Sequence, residues 1–128
     1  SQPKTNTMKK VLDLLPSVLV GALFLFGGLN FFFNFAPMPP IPGDPGVYMG
    51  IMMSSGMMTV VKVLEVIGGV LILVPGKRAL GLTILAPITV NILLFELCLA
   101  HAPSVGVALM VLSAIIAYQE RDKFKALL

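Results

Sequence analysis

Charge and metal-binding side chains are scarce in this sequence. It holds one cysteine and one histidine, and Asp, Glu, Lys and Arg together make up only 12% of 128 residues. A lone Cys98 excludes an internal disulfide and any multi-cysteine zinc or iron–sulfur site built within this chain. Glu96, Cys98 and His101 lie close in sequence, but their spacing does not put three ligands on one helical face and His101 falls in a turn. No metal site is expected there. Glu96 and His101 are expected at the outer membrane interface, with Cys98 as a small apolar filler. Walker, nucleophile-elbow and HExxH patterns are absent too, so no residue is assigned a catalytic role.

What is abundant is apolar surface. With 57% hydrophobic residues and a mean hydropathy of +0.97, the chain is too apolar for an ordinary soluble domain and reads as one polytopic, all-α membrane domain. The formal net charge is +3, yet the basic residues stand at the ends of apolar runs rather than on one face, which argues against nucleic acid.

Residues 1–8 are polar and contain Pro3, which predicts a flexible tail, and 9–128 form the membrane domain. Lys9 and Lys10 precede an apolar run that continues to Phe35 without a small-residue cleavage pattern, so the run is expected to stay as an anchor. The spans predicted are 11–35, 56–74, 79–99 and 104–120. Between the first two, 36–46 carries five prolines and no Lys or Arg, as an irregular outer loop would. A single helix over 47–74 would be about 42 Å long, too long unless it tilts or breaks. Ser54, Ser55 and Gly56 offer the break, giving a short, Met-rich interfacial helix before the second span.

Four spans put Lys4, Lys9, Lys10, Lys77, Arg78, Arg121, Lys123 and Lys125 on one side, and the ninth basic residue, Lys62, within the membrane. The positive-inside rule makes that side cytoplasmic, with both termini on it, so the expected architecture is a four-helix bundle of the inner membrane.

Lys62 and Glu65 fall in the middle of the second span, at i, i+3 and hence on one face. A charge at the centre of a membrane helix costs at least about 2.5 kcal/mol on insertion scales, so the pair must meet protein or water rather than lipid. At 1.5 Å per residue, Lys62, Glu65 and Asn91 lie roughly 15–20 Å from the cytoplasmic ends of their helices, with Asn30 at about 27 Å and Asn34 higher. Two readings follow. The charges satisfy one another and the asparagines fasten helices, or the five residues Lys62, Glu65, Asn91, Asn30 and Asn34 line an outward-opening ligand pocket capped by the Pro-rich loop and the Met-rich segment. Asn91 and Pro87 share a face, whereas Glu96 lies 140° around from Asn91 at 100° per residue and is excluded from it. Gly27-Gly28 and Gly68-Gly69 read as close-packing points.

Three stretches are similar to the DoxX-like family of small four-helix bacterial membrane proteins. They are Gly27-Gly28-Leu29-Asn30 followed by aromatics, Glu65-Val66-Ile67-Gly68-Gly69, and the run from Ala86-Pro87 through Asn91-Ile92 to Phe95. The resemblance covers about residues 11–120. It implies an accessory of quinone-linked membrane redox systems, with Glu65 as the best-matched polar position. Phe31 stands where many such proteins carry a Lys. The combined expectation is a non-catalytic membrane protein that holds a quinone-like or lipid-like ligand beside a redox partner. The alternatives are a structural or assembly subunit of a larger membrane complex and a small transporter or proton-linked carrier, the latter disfavoured by the apolar cytoplasmic half.

Overall fold

The computed structural model describes residues 2–37 and 39–127, with side chains from Asn6 onward. Helices account for nearly all of it: α1 (Gln2–Phe33), α2 (Gly43–Ser54), α3 (Met57–Leu73), α4 (Arg78–Leu94), α5 (Val105–Gln119) and α6 (Arg121–Lys125). A π-helical turn over Phe95–Ala100 extends α4. No strand occurs among the described residues.

α1 begins at Gln2, so the polar residues from there to Met8 continue the first helix. It stops at Asn34, whose φ of 50° is left-handed and whose N–H still reaches the Asn30 carbonyl at 2.6 Å. Asparagine tolerates that conformation better than most residues, which explains an end at Phe33, two residues before the apolar run stops.

The stretch 47–74 is broken, not continuous. α2 and α3 meet at an angle of 84°, with Gly56 at φ 83° as the hinge. A side chain there would be strained by the left-handed backbone, so the helix breaks where the sequence supplies glycine. α2 also starts earlier than expected, at Gly43.

α1 packs against α3 and α5, α3 against α4, and α4 against α5, while α2 lies across α3 and the π turn. The shared core is Val20 and Phe24 of α1, Ile72 of α3, Leu82, Leu85 and Ile88 of α4, and Leu109 and Ile116 of α5. Gly28 faces the Val66 side chain and Gly68 faces Leu85, so both glycine pairs serve close helix contacts. Outside this narrow core the helices turn large apolar side chains outward, among them Leu12, Leu19, Val60, Val70, Val90 and Val111. An apolar exterior around a polar-containing interior suits a lipid environment.

By length and composition, α1 (28 residues from Asn6) and α4 with its π turn (23 residues, Arg78–Ala100) are each able to cross a membrane. The bent pair α2–α3 makes a third candidate if counted as one span. α5 has 15 residues, about 22 Å at 1.5 Å each, and falls short of a full crossing by itself.

Candidate functional site

Two pockets open where α2 folds over the first half of α3. The larger, about 610 Å³, is walled by Phe26 and Phe31 of α1, Pro39 and Pro40 of the loop, and Met49 and Met53 of α2. The smaller, about 210 Å³, lies between α2, α3 and the end of α4. Lys62 lines both.

The Lys62 ammonium stands 3.3 Å from Glu65 Oε1, as expected for i, i+3 neighbours on a helix. Glu65 is 4% exposed, whereas the Lys62 side chain keeps 21% of its surface open. The pair faces Gly27 of α1, where a Cβ would come within 3.4 Å of Glu65 Oε1. Among the described residues, Glu65 is the one hydrogen-bond partner of Lys62. An ammonium has three protons to donate, so Lys62 has donors left for an occupant of either pocket.

Asn91 lines the smaller pocket and donates from Nδ2 to Tyr48 Oη at 2.9 Å. It is exposed rather than buried. The Tyr48 ring also stacks at 5.4 Å on Phe95 of the π turn, fixing α2 to the far wall. Asn30 lines the larger pocket, and its amide is partly engaged: Nδ2 donates to the Ala36 carbonyl at 2.9 Å and Oδ1 accepts from Ala36 N–H at 2.7 Å. It fastens the loop through one of its two amide N–H groups and its carbonyl oxygen. Asn34 lines neither pocket; it is the exposed stop residue of α1. The five residues therefore do not form one cluster. Lys62, Glu65 and Asn91 meet at the smaller pocket, Asn30 borders the larger, and Asn34 stands apart.

Glu96 is where helical-wheel reasoning fails. It is 5% exposed, not at an interface, and lines the smaller pocket together with Asn91. The pocket reaches past Asn91 to Glu96 at the start of the π turn, so its lining is not confined to one helical face. The Glu96 carboxylate accepts from Ser104 N–H (2.8 Å), Ser104 Oγ (2.8 Å) and Gly106 N–H (2.9 Å), capping the start of α5. His101, at φ 53°, ends the π turn, and Cys98 is exposed rather than packed as filler. No group of three or more His, Cys, Asp or Glu among the described residues is placed to hold a metal ion.

A second polar cluster sits at the opposite end. Arg78, 9% exposed, donates from Nε to Ser17 Oγ (2.7 Å), from Nη1 to Asp13 Oδ2 (3.3 Å), and from Nη2 to the Asp13 carbonyl (3.4 Å) and Gln119 Oε1. Glu120 Oε1 lies 3.5 Å from Nη1. Sequence reading treated Arg78 only as a marker of sidedness. Its donors are taken up by protein, so it joins α1, α4 and the end of α5 rather than offering a binding site.

The chain matches no described protein family, no characterised protein and no solved structure. Its function is read from the pockets themselves.

Proposed function

We propose that this is a four-span protein of the bacterial cytoplasmic membrane, DoxX-like in type and with both termini cytoplasmic. In this reading it is a non-catalytic accessory of a quinone-linked redox system. Its larger pocket receives a quinone-like or lipid-like molecule, with the Lys62 ammonium as the donor to its polar head. The observation that carries the reading is the position of Lys62: a cation in the wall of an apolar pocket of about 610 Å³, held by one carboxylate and still partly open. That volume lies inside the range of small-molecule pockets, which are mostly apolar with a few placed polar groups. A lysine there is a costly way to close a gap, so a site is the better account of it.

The contacts of Arg78 support the four-span arrangement, because Asp13, the start of α4 and Glu120 share one level, next to the basic residues of the chain. α6 follows α5 directly with Arg121, Lys123 and Lys125, the charges expected at a cytoplasmic boundary.

The test is solvent extraction of the protein purified in mild detergent, with mass spectrometry of what it carries. A stoichiometric quinone or lipid that is retained by the wild type and lost from Lys62→Met is expected. Equal retention by both proteins would overturn the assignment of the head group to Lys62. The absence of any bound small molecule, together with no binding of an added short-chain quinone, would overturn the ligand reading altogether.

A further inference from the structure

Five of the eight methionines fall within ten residues: Met49, Met52, Met53, Met57 and Met58. Adaptable apolar packing accounts for some of them. Met53 and Met57 are 53% and 56% exposed. The other three are arranged differently. Met49 and Met52, at i, i+3, share a face of α2, and the 84° bend at Gly56 lays that face over the first turns of α3, where Met58 stands. All three line the smaller pocket, and Met52 and Met58 are buried.

We propose that Met49, Met52 and Met58 form a thioether site for a soft monovalent cation, Cu(I), in the smaller pocket. Thioethers are neutral, soft donors, poor ligands for Mg²⁺ or Ca²⁺ and well matched to Cu(I). The pocket wall holds no cysteine or histidine, the donors that select zinc. Its two carboxylates, Glu65 and Glu96, already have protein partners in Lys62 and in the start of α5. Two carboxylates and one ammonium leave a formal charge of −1 around the pocket, which complements a single positive charge and disfavours an anion. At about 210 Å³ the pocket is below the size range of pockets for larger organic ligands, and the flexible methionine side chains have room to close on an ion. Long unbranched side chains reached from two helices across a hinge let the three sulfurs converge on the ion. Met49, Met58 and Lys62 also border the larger pocket, so the copper site adjoins the ligand proposed there, but copper titration reads it independently of that ligand.

The experiment is Cu(I) titration of the full chain in detergent under ascorbate, in competition with the chromophoric chelator bicinchoninate, followed by X-ray absorption at the copper edge. One Cu(I) per chain with a sulfur-only first shell is expected. The M49L/M52L/M58L triple variant should lose affinity by more than about 100-fold, beyond what loss of a supporting contact costs. Leu for Met conserves volume closely enough to keep the helices packed. If the triple variant does not fold, as judged by its helical circular dichroism, each single Leu variant must weaken binding in its place. M53L/M57L should bind as the wild type does. Because Cys98 is an exposed thiol, C98S is the deciding control. Loss of copper in C98S, undiminished binding in M49L/M52L/M58L, or nitrogen and oxygen ligands in the absorption spectrum would each overturn the site.

Discussion

Asn91 Nδ2 donates to Tyr48 Oη across 2.9 Å, joining the short helix α2 to α4 over the mouth of the smaller pocket. With the glycine bend at Gly56 on one side and this bond on the other, α2 lies as a flap over both pockets. A hydrogen bond of this kind contributes about 1 kcal/mol. Tyr48→Phe keeps the ring contact with Phe95 and removes only the hydroxyl. Amide hydrogen exchange across α2 should then speed up by roughly fivefold, with overall melting unchanged, since the core lies elsewhere. Unaltered exchange would mean that packing alone holds the flap.

Glu96 holds the turn between α4 and α5 by accepting three hydrogen bonds from Ser104 and Gly106. Removing the carboxylate strands those donors in a buried site, at a cost of about 2–4 kcal/mol. Glu96→Ala should therefore lower the melting temperature in detergent clearly. Glu96→Gln should fall between, because one end of its amide cannot accept. Gly106→Ala should act in the same direction, since its Cβ would meet Glu96 Oε1 at 2.7 Å. An unchanged melting point in Glu96→Ala would show that the cap is solvated and dispensable.

How much of this was legible beforehand depends on whether the deciding geometry is local. Lys62 and Glu65 are three residues apart on a regular helix, so their pairing follows from periodicity alone. The break at Ser54–Gly56 was legible for the same reason, because excess length and a glycine coincide there. Glu96 was not: the pocket extends beyond the face that carries Asn91, and sorting residues by one helical face leaves Glu96 out. Asn30 does border the larger pocket, but Asn34 borders neither, because polarity in an apolar run marks helix ends as readily as pockets. Asn34 is the left-handed stop and Asn30 grips Ala36 just beyond it. The partners of Arg78 lie 41 to 65 residues away in sequence, beyond the reach of any pattern of spacing.

Arg78 is the clearest case for a stability role without a ligand. Its guanidinium reaches Ser17, Asp13, Gln119 and Glu120 from one buried position. Arg78→Leu leaves Glu120, itself largely buried, without this partner, and a loss of about 3 kcal/mol is expected on thermal or denaturant unfolding in micelles. Arg78→Lys should recover only part of it, because an ammonium has three donors in place of five and no planar fork. Ligand and copper binding at the other end should be unaffected in any variant that folds. A lysine variant as stable as the wild type would show that charge, not the forked geometry, is what α1, α4 and α5 require.

The Lys62–Glu65 pair admits two roles that a mutant cycle separates. As a purely structural pair, it behaves like other buried ion pairs: removing one partner leaves a buried charge, while replacing both with apolar residues is close to neutral. Lys62→Met should therefore destabilise the fold by about 2 kcal/mol, less than for a fully buried pair because the lysine is partly open. Lys62→Met combined with Glu65→Leu should restore most of that loss. Retention of a bound quinone or lipid follows a different rule, since it depends on the ammonium itself and stays lost in the double variant. Unfolding and retention measured on the same three proteins decide the matter. Recovery of stability without recovery of retention marks a binding site, and recovery of both would reduce the pair to a helix fastener.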